Sequence, residues 1–188
     1  MFLLTKSHLL HFEYQILKFT DLTNKYISFS LWVESNSLSN GEKIDNVGNV
    51  STIAGTANVS GSDDGQGIQA KFNEPYGIVV DSSDNIYVAD YSNKLIRKID
   101  TFGNVSTFAG IGERNTVDGN RLNASFNGPI GLEIDSSNNI YVSEYKGHVI
   151  RKINTSGQVT TIAGIVGNSG STAVSYTHLR AHETSLQG

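Results

Sequence analysis

A chain of 188 residues, 38% hydrophobic and 17% charged with a net charge of −4, has the make-up of about one globular domain. The slight acid excess and the absence of any Lys/Arg run argue against nucleic acid or an anionic membrane surface as partner, and no apolar run approaches the ~20 residues of a membrane span. There is no cysteine, which excludes disulfides, thiolate zinc sites and a cysteine nucleophile.

In chain order, residues 1–30 come first and match nothing downstream. Leu9, Phe12, Ile16 and Phe19 could line one face of a short helix. No basic region precedes the apolar Phe2-Leu3-Leu4, so no secretory signal is expected and the segment is left unassigned. Repeating sequence is expected over residues 31–173, opening with a diverged copy at Leu31-Trp32-Val33.

The repeat is plain from residue 43 onward. Lys43-Ile44-Asp45 leads into Gly48-Asn49-Val50-Ser51-Thr52-Ile53-Ala54-Gly55. The phrase returns from Lys98 to Gly110 and again from Lys152 to Gly164, steps of 55 and 54 residues. Ile86-Tyr87-Val88 recurs as Ile140-Tyr141-Val142, and Ala70, Phe72, Asn73, Pro75 and Gly77 recur as Ala124, Phe126, Asn127, Pro129 and Gly131. Each complete unit holds four β-type runs: 77–81, 85–90, 95–100 and 104–109 in the first, and 131–135, 139–144, 149–154 and 158–163 in the second. Between the first two runs, Asp81-Ser82-Ser83-Asp84-Asn85 is a tight turn whose Asx side chains bond their own backbone. Apolar side chains lie on both faces of a run, Ile86 and Val88 alternating with Tyr87 and Ala89, as in a sheet packed between two others. The pattern predicts an all-β fold, a partial β-propeller of four-stranded antiparallel blades, two complete and one partial on each side.

The run Ile86-Tyr87-Val88-Ala89-Asp90, then Asn93-Lys94-Leu95-Ile96-Arg97-Lys98-Ile99, resembles the NHL repeat, whose pattern is an IYVAD strand followed by Asn-His-Leu and IRK. The second copy reads Ile140-Tyr141-Val142-Ser143-Glu144, then Gly147-His148-Val149-Ile150-Arg151-Lys152-Ile153. Lys94 stands for the histidine in one copy and Gly147 for the asparagine in the other. The resemblance covers roughly residues 43–170. It implies a ring of about six blades, and so further sequence on one or both sides.

After Gly164 the phrase does not resume. Val174-Ser175-Tyr176-Thr177-His178-Leu179-Arg180-Ala181-His182-Glu183-Thr184 reads as one frame of a transposase-type sequencing adapter, so residues 174–188 are expected to be foreign read-through. His178 and His182, spaced like a helical metal pair, fall inside that string. No metal and no cofactor are expected.

Two carboxylates face arginines by position, Asp90 with Arg97 and Glu144 with Arg151. Their repetition in both units argues for a structural bond across each hairpin, worth about 0.2–1 kcal/mol if exposed, and against an active site, which is a singular arrangement. Asp63-Asp64-Gly65-Gln66-Gly67 resembles a loose calcium loop but lacks the alternate ligands and terminal glutamate of one, so a turn is expected. Nucleophile elbows, Walker loops and His-Glu-x-x-His are absent.

The function expected is a binding scaffold for a protein or carbohydrate ligand. The alternative is a fragment of a propeller enzyme of the gluconolactonase or amidating-lyase type, which would need a single-copy cluster of Glu, Asn, Asp or His at the channel mouth. In an up-and-down blade the connections 56–76 and 111–130 share a face with the turns 91–94 and 145–148. Residues there, all but the aligned Tyr91 and Tyr145 differing between copies, are the candidate contacts: Asp63, Glu74, Tyr91 and Lys94 in one set, Glu113, Arg114, Arg121, Tyr145, Lys146 and His148 in the other. Tyr91, Tyr145 and Arg114 lead, since Tyr and Arg are the usual interface anchors.

Overall fold

The computed structural model describes residues 40–44 and 50–170. The helix expected near the N-terminus, the diverged copy expected at Leu31-Trp32-Val33 and the C-terminal string expected to be foreign all lie outside the described residues.

Asn40–Ile44 (β1) and Val50–Gly55 (β2) pair antiparallel. The first complete unit follows as Gly65–Gln66 (β3), Pro75–Val80 (β4), Ile86–Asp90 (β5), Leu95–Ile99 (β6) and Asn104–Ala109 (β7). The second is Gly119–Asn120 (β8), Pro129–Ile134 (β9), Ile140–Glu144 (β10), Val149–Ile153 (β11) and Gln158–Gly164 (β12). Each unit is one antiparallel sheet, ordered β3-β7-β6-β5-β4 and β8-β12-β11-β10-β9. The fold is all-β, and the units are four-stranded blades of a partial propeller, paired in sequence order as expected.

Two features add to the expected blade. β4 and β9 start at Pro75 and Pro129, two residues before the expected Gly77 and Gly131. A proline is tolerated at the first position of an edge strand, where its missing N–H leaves no ladder bond unmade. The second feature is the pair of two-residue strands β3 and β8, which extend each sheet beyond its fourth strand. They come from the long connections and are too short to carry any apolar alternation.

The blades meet face to face. Val79, Tyr87, Ala89 and Ile96 of the first pack with Phe126, Leu132, Val142 and Ile153 of the second. β4 and β9 come so close that a Cβ on Gly77 would sit 2.4 Å from the Ile130 carbonyl oxygen, which explains a glycine there. On its other face the first blade packs Ile78, Ile86, Val88 and Phe72 with Ala54 of β2. Buried on both sides, β5 has no exposed position.

The second blade differs at equivalent positions. Ile96 is fully buried, but its counterpart Ile150 is 38% exposed, and Ile162 on the same blade is 44% exposed. An apolar strip open to water favours association. The isolated chain is therefore expected to gain mass with concentration in light scattering, and the double change Ile150→Lys with Ile162→Lys to return it to monomer. A constant monomer mass for the unchanged chain would refute the role of the strip.

Candidate ligand-binding face

The turns Tyr91–Lys94 and Tyr145–His148 close the second hairpin of each blade. Their last residues, Lys94 and His148, adopt left-handed backbone, with φ of 57° and 58°. The Lys94 amide donates to the Tyr91 carbonyl at 3.1 Å and the His148 amide to the Glu144 carbonyl at 3.0 Å. Both are turn-forming positions, Lys94 partly buried and His148 exposed.

Below each turn lies a buried ion pair. Arg97 and Asp90 have fully buried side chains, Nη1 to Oδ2 3.0 Å. Arg97 also donates to the carbonyls of Lys71 at 2.8 Å and Asp63 at 3.0 Å and to the Asp64 carboxylate at 2.7 Å. Its guanidinium lies 5.2 Å from the centre of the Phe72 ring. Arg151 repeats the arrangement with Glu144, the carbonyls of Ser125 and Val117, the Asp118 carboxylate and the Phe126 ring. The arginine of each repeat thus clamps the long connection onto its blade. The pair is structural, as its repetition implied, but it is buried and not the exposed bond whose small worth was considered from sequence.

Burial pushes the Asp90 carboxyl above the usual carboxylate range, against hydrogen bonds from Asn93, Asn73 and Arg97. At Asp118 burial acts the same way but is outweighed by hydrogen bonds from Thr161 and by Arg151, which hold it below that range. The Asp63–Gly67 segment is not the turn expected: Gly65–Gln66 form β3 and Gly67 opens a short 3-10 helix, while the Asp64 carboxylate accepts from Arg97. Among the described residues no group of three His, Cys, Asp or Glu could hold a metal ion.

The long connections do not stay on one face. Near their ends they bond the turns: Asn93 Nδ2 donates to the Gly61 carbonyl at 2.6 Å, and the Tyr145 amide donates to the Gly128 carbonyl at 2.8 Å. In the middle they reach the opposite end of the blade, where the Gly67 amide donates to the Gly103 carbonyl and the Arg121 amide to the Gly157 carbonyl. Arg121 is therefore apart from the turns; its guanidinium donates to the Phe108 carbonyl at 2.8 Å and lies 4.7 Å from that ring's centre. Asp63 lies mid-connection in an exposed ion pair with Lys71 at 2.7 Å, which holds its carboxyl low. Glu113 and Arg114 are exposed where the second connection begins, Arg114 bridging Phe126 through its backbone.

Four of the sequence candidates do come together, across the blade boundary. The Tyr91 amide donates to the Glu74 carbonyl at 3.2 Å, and Ser92 Oγ bonds the Glu74 carboxylate. A Cβ on Gly128 would lie 2.9 Å from Tyr91 Cε2 and 3.3 Å from Lys146 Cγ, so both side chains lie over that glycine. Lys146 Nζ in turn lies 4.6 Å from the Tyr145 ring centre. Sequence reading missed Tyr76, 43% exposed, whose ring meets Tyr91 edge-on at 5.1 Å. The signal existed, since Tyr76 faces Ile130 in the aligned copy. Lys94 lines an open depression with Ser62, Ser92, Asn93 and Thr107.

The opposite end is built from repeated Asx turns. The Asp81 carboxylate accepts from the amides of Ser83 and Asn85, the Asn85 side chain and the Tyr87 hydroxyl. Burial, then the neighbouring Asp81 charge, pushes the Tyr87 phenol up to about 12. Asp135 repeats the set with Ser137, Asn139 and Tyr141.

Residues 72–99, which hold the clamp, the Asx turn and the Tyr91–Lys94 turn, match the family model of the NHL repeat. The first blade carries an NHL repeat. The chain is 34% identical over 110 residues to NHL repeat-containing protein 2 of chicken (Gallus gallus), covering 56% of this chain and 15% of the relative. Over 94 residues it is 31% identical to Protein SUPPRESSOR OF QUENCHING 1, chloroplastic, of Arabidopsis thaliana, covering 50% and 9%. The chain thus spans 15% or less of these relatives' length. A structural genomics protein of unknown function from Bacteroides thetaiotaomicron superposes with a TM-score of 0.58 at 34% identity, over 61% of this chain and 30% of that one. An auxiliary nutrient binding protein from Bacteroides ovatus, TM-score 0.54 at 23% identity over 66% and 33%, shows the shared fold alone. In both blades the arginine of the IRK phrase is the clamp, and the position of the repeat's histidine is the left-handed turn residue. Among the described residues no helix is long and apolar enough to cross a membrane.

Proposed function

We propose that these NHL blades belong to a binding scaffold that takes a protein or carbohydrate ligand on the face of the turns 91–94 and 145–148. The observation that carries this reading is the convergence over Gly128 of Tyr91 and Lys146 from different blades, with Glu74 and Tyr145 beside them. Glu74 and Lys146 differ from their counterparts Gly128 and Ser92, the two tyrosines are each other's counterparts, and the repeated Arg97 and Arg151 are enclosed in the core. A rigid scaffold holding aromatic side chains beside charged ones that vary from blade to blade is the arrangement of a recognition surface. Lys94, His148, Glu113 and Arg114 form its rim. Asp63 and Arg121 are peripheral, their charged groups engaged by Lys71 and Phe108.

The test is alanine replacement in the full-length protein with its captured ligand. Tyr91→Ala, Tyr145→Ala and Arg114→Ala should each weaken binding by more than ~1 kcal/mol. Unchanged affinity in all three, with loss on altering the turns Ser82–Ser83 and Ser136–Ser137, would put the ligand at the other end of the blades and end this reading.

A further inference from the structure

Among the non-glycine residues with left-handed backbone, Lys94 and His148 are one repeated turn position, Asp84 and Asn138 are another, and Asn58 is of a type that tolerates it. Glu74 is different. Its φ is 52°, and the aligned position in the second blade is Gly128, at 72°. Glycine takes this conformation freely, whereas a glutamate there is strained. The first blade therefore keeps a carboxylate at a place where its twin keeps the residue the backbone favours. Strain of this kind at an exposed, unrepeated position points to a role in recognition.

The neighbours indicate which role. Ser92 Oγ holds the Glu74 carboxylate, and Ser92 follows Tyr91, whose ring meets Tyr76 at 5.1 Å. In the second blade the position of Ser92 is Lys146, which lays its own ammonium 4.6 Å from the ring of Tyr145, the counterpart of Tyr91. One blade pairs its turn tyrosine with an internal cation. The other sets a carboxylate beside the matching tyrosine. We propose that the corner of Glu74, Tyr76 and Tyr91 receives a lysine or arginine side chain from a basic segment of a protein partner. Aromatic faces attract ammonium and guanidinium groups, a carboxylate adds a charge-assisted hydrogen bond, and the chain's net charge of −4 favours the approach of a basic segment. This deepens the binding reading above and rests on it.

The experiment titrates the full chain with a short lysine-rich peptide, following tyrosine ring signals by NMR. The same peptide with glutamate for lysine and a neutral oligosaccharide serve as comparators. Saturable binding of the basic peptide alone is expected, weakened about fivefold by Glu74→Gln and by Tyr91→Ala. Glu74→Gly should raise the melting temperature while weakening binding, a split that a purely structural glutamate would not produce. Equal affinity of Glu74→Gln, or preference for the acidic peptide or the oligosaccharide, overturns the proposal. If Tyr145→Ala and Arg114→Ala still weaken the full-length protein's ligand while Glu74 variants do not, the cation corner fails and the binding face stands. If no variant on this face matters, both fail.

Discussion

Arg97→Met should lower the stability of the chain by about 3–5 kcal/mol, and Arg151→Met by a similar amount, read as a shift of the urea midpoint. Removing the guanidinium leaves the Asp90 carboxylate fully buried without its cation, and frees the carbonyls of Lys71 and Asp63 and the carboxylate of Asp64. A buried carboxylate that loses its cation and keeps only the neutral donors Asn73 and Asn93 is among the few lesions of this size. Since domains are stable by about 5–15 kcal/mol, either change removes a large share. Arg97→Lys should rescue little, because one ammonium cannot reproduce a fork that reaches four acceptors. Arg97→Met with Asp90→Leu should be milder than Arg97→Met alone, since no charge is stranded. A loss below ~1 kcal/mol for Arg97→Met would mean the clamp is dispensable.

The second large effect comes from an exchange between the copies. In the first blade Asn93 Nδ2 donates to Asp90 Oδ2 at 2.8 Å. The second blade has Gly147 at that position and the longer Glu144 in place of the aspartate. There Glu144 Oε2 accepts instead from Thr116 Oγ1 at 2.8 Å, and it keeps the bond from the Asn127 amide at 2.8 Å that Asp90 has from the Asn73 amide. A Cβ on Gly147 would lie 2.4 Å from Glu144 Oε2 and 2.9 Å from Thr116 Oγ1. The extra methylene of Glu144 and the Thr116 hydroxyl thus fill the space that Asn93 occupies in the other blade. Gly147→Asn alone is expected to destabilise by about 1–3 kcal/mol through overpacking. Adding Glu144→Asp recreates the pattern of the first blade and should recover most of that loss. Coupling of more than ~1 kcal/mol in the double-mutant cycle is the expected reading for residues in contact. Additive effects would show that the two positions do not share one space.

The amino-acid sequence by itself determined the repeat, the four strands of each blade, their order and the turns between them. These are local properties. An apolar alternation, an Asx pair and a glycine act over a few residues and need no partner from far away. It also pointed to the pairing of Asp90 with Arg97 and of Glu144 with Arg151, seven residues apart across one hairpin. Only the tertiary structure decided the rest. Whether those pairs are exposed or buried depends on the connection that folds over them, reaching Arg97 from as far as 34 residues away. β3 and β8 exist because the same connection is drawn against the outer strand, and two residues leave no periodic trace. The candidate contacts were sorted in the same way. Arg121 is carried to the opposite end with its segment, whereas Glu74, Tyr91, Lys146 and Tyr145 are gathered around Gly128 because β4 and β9 pack closely enough to join two blades. Contacts between blades are made between faces more than 30 residues apart in the chain, such as Tyr91 and Gly128, so no local pattern in either copy could report them.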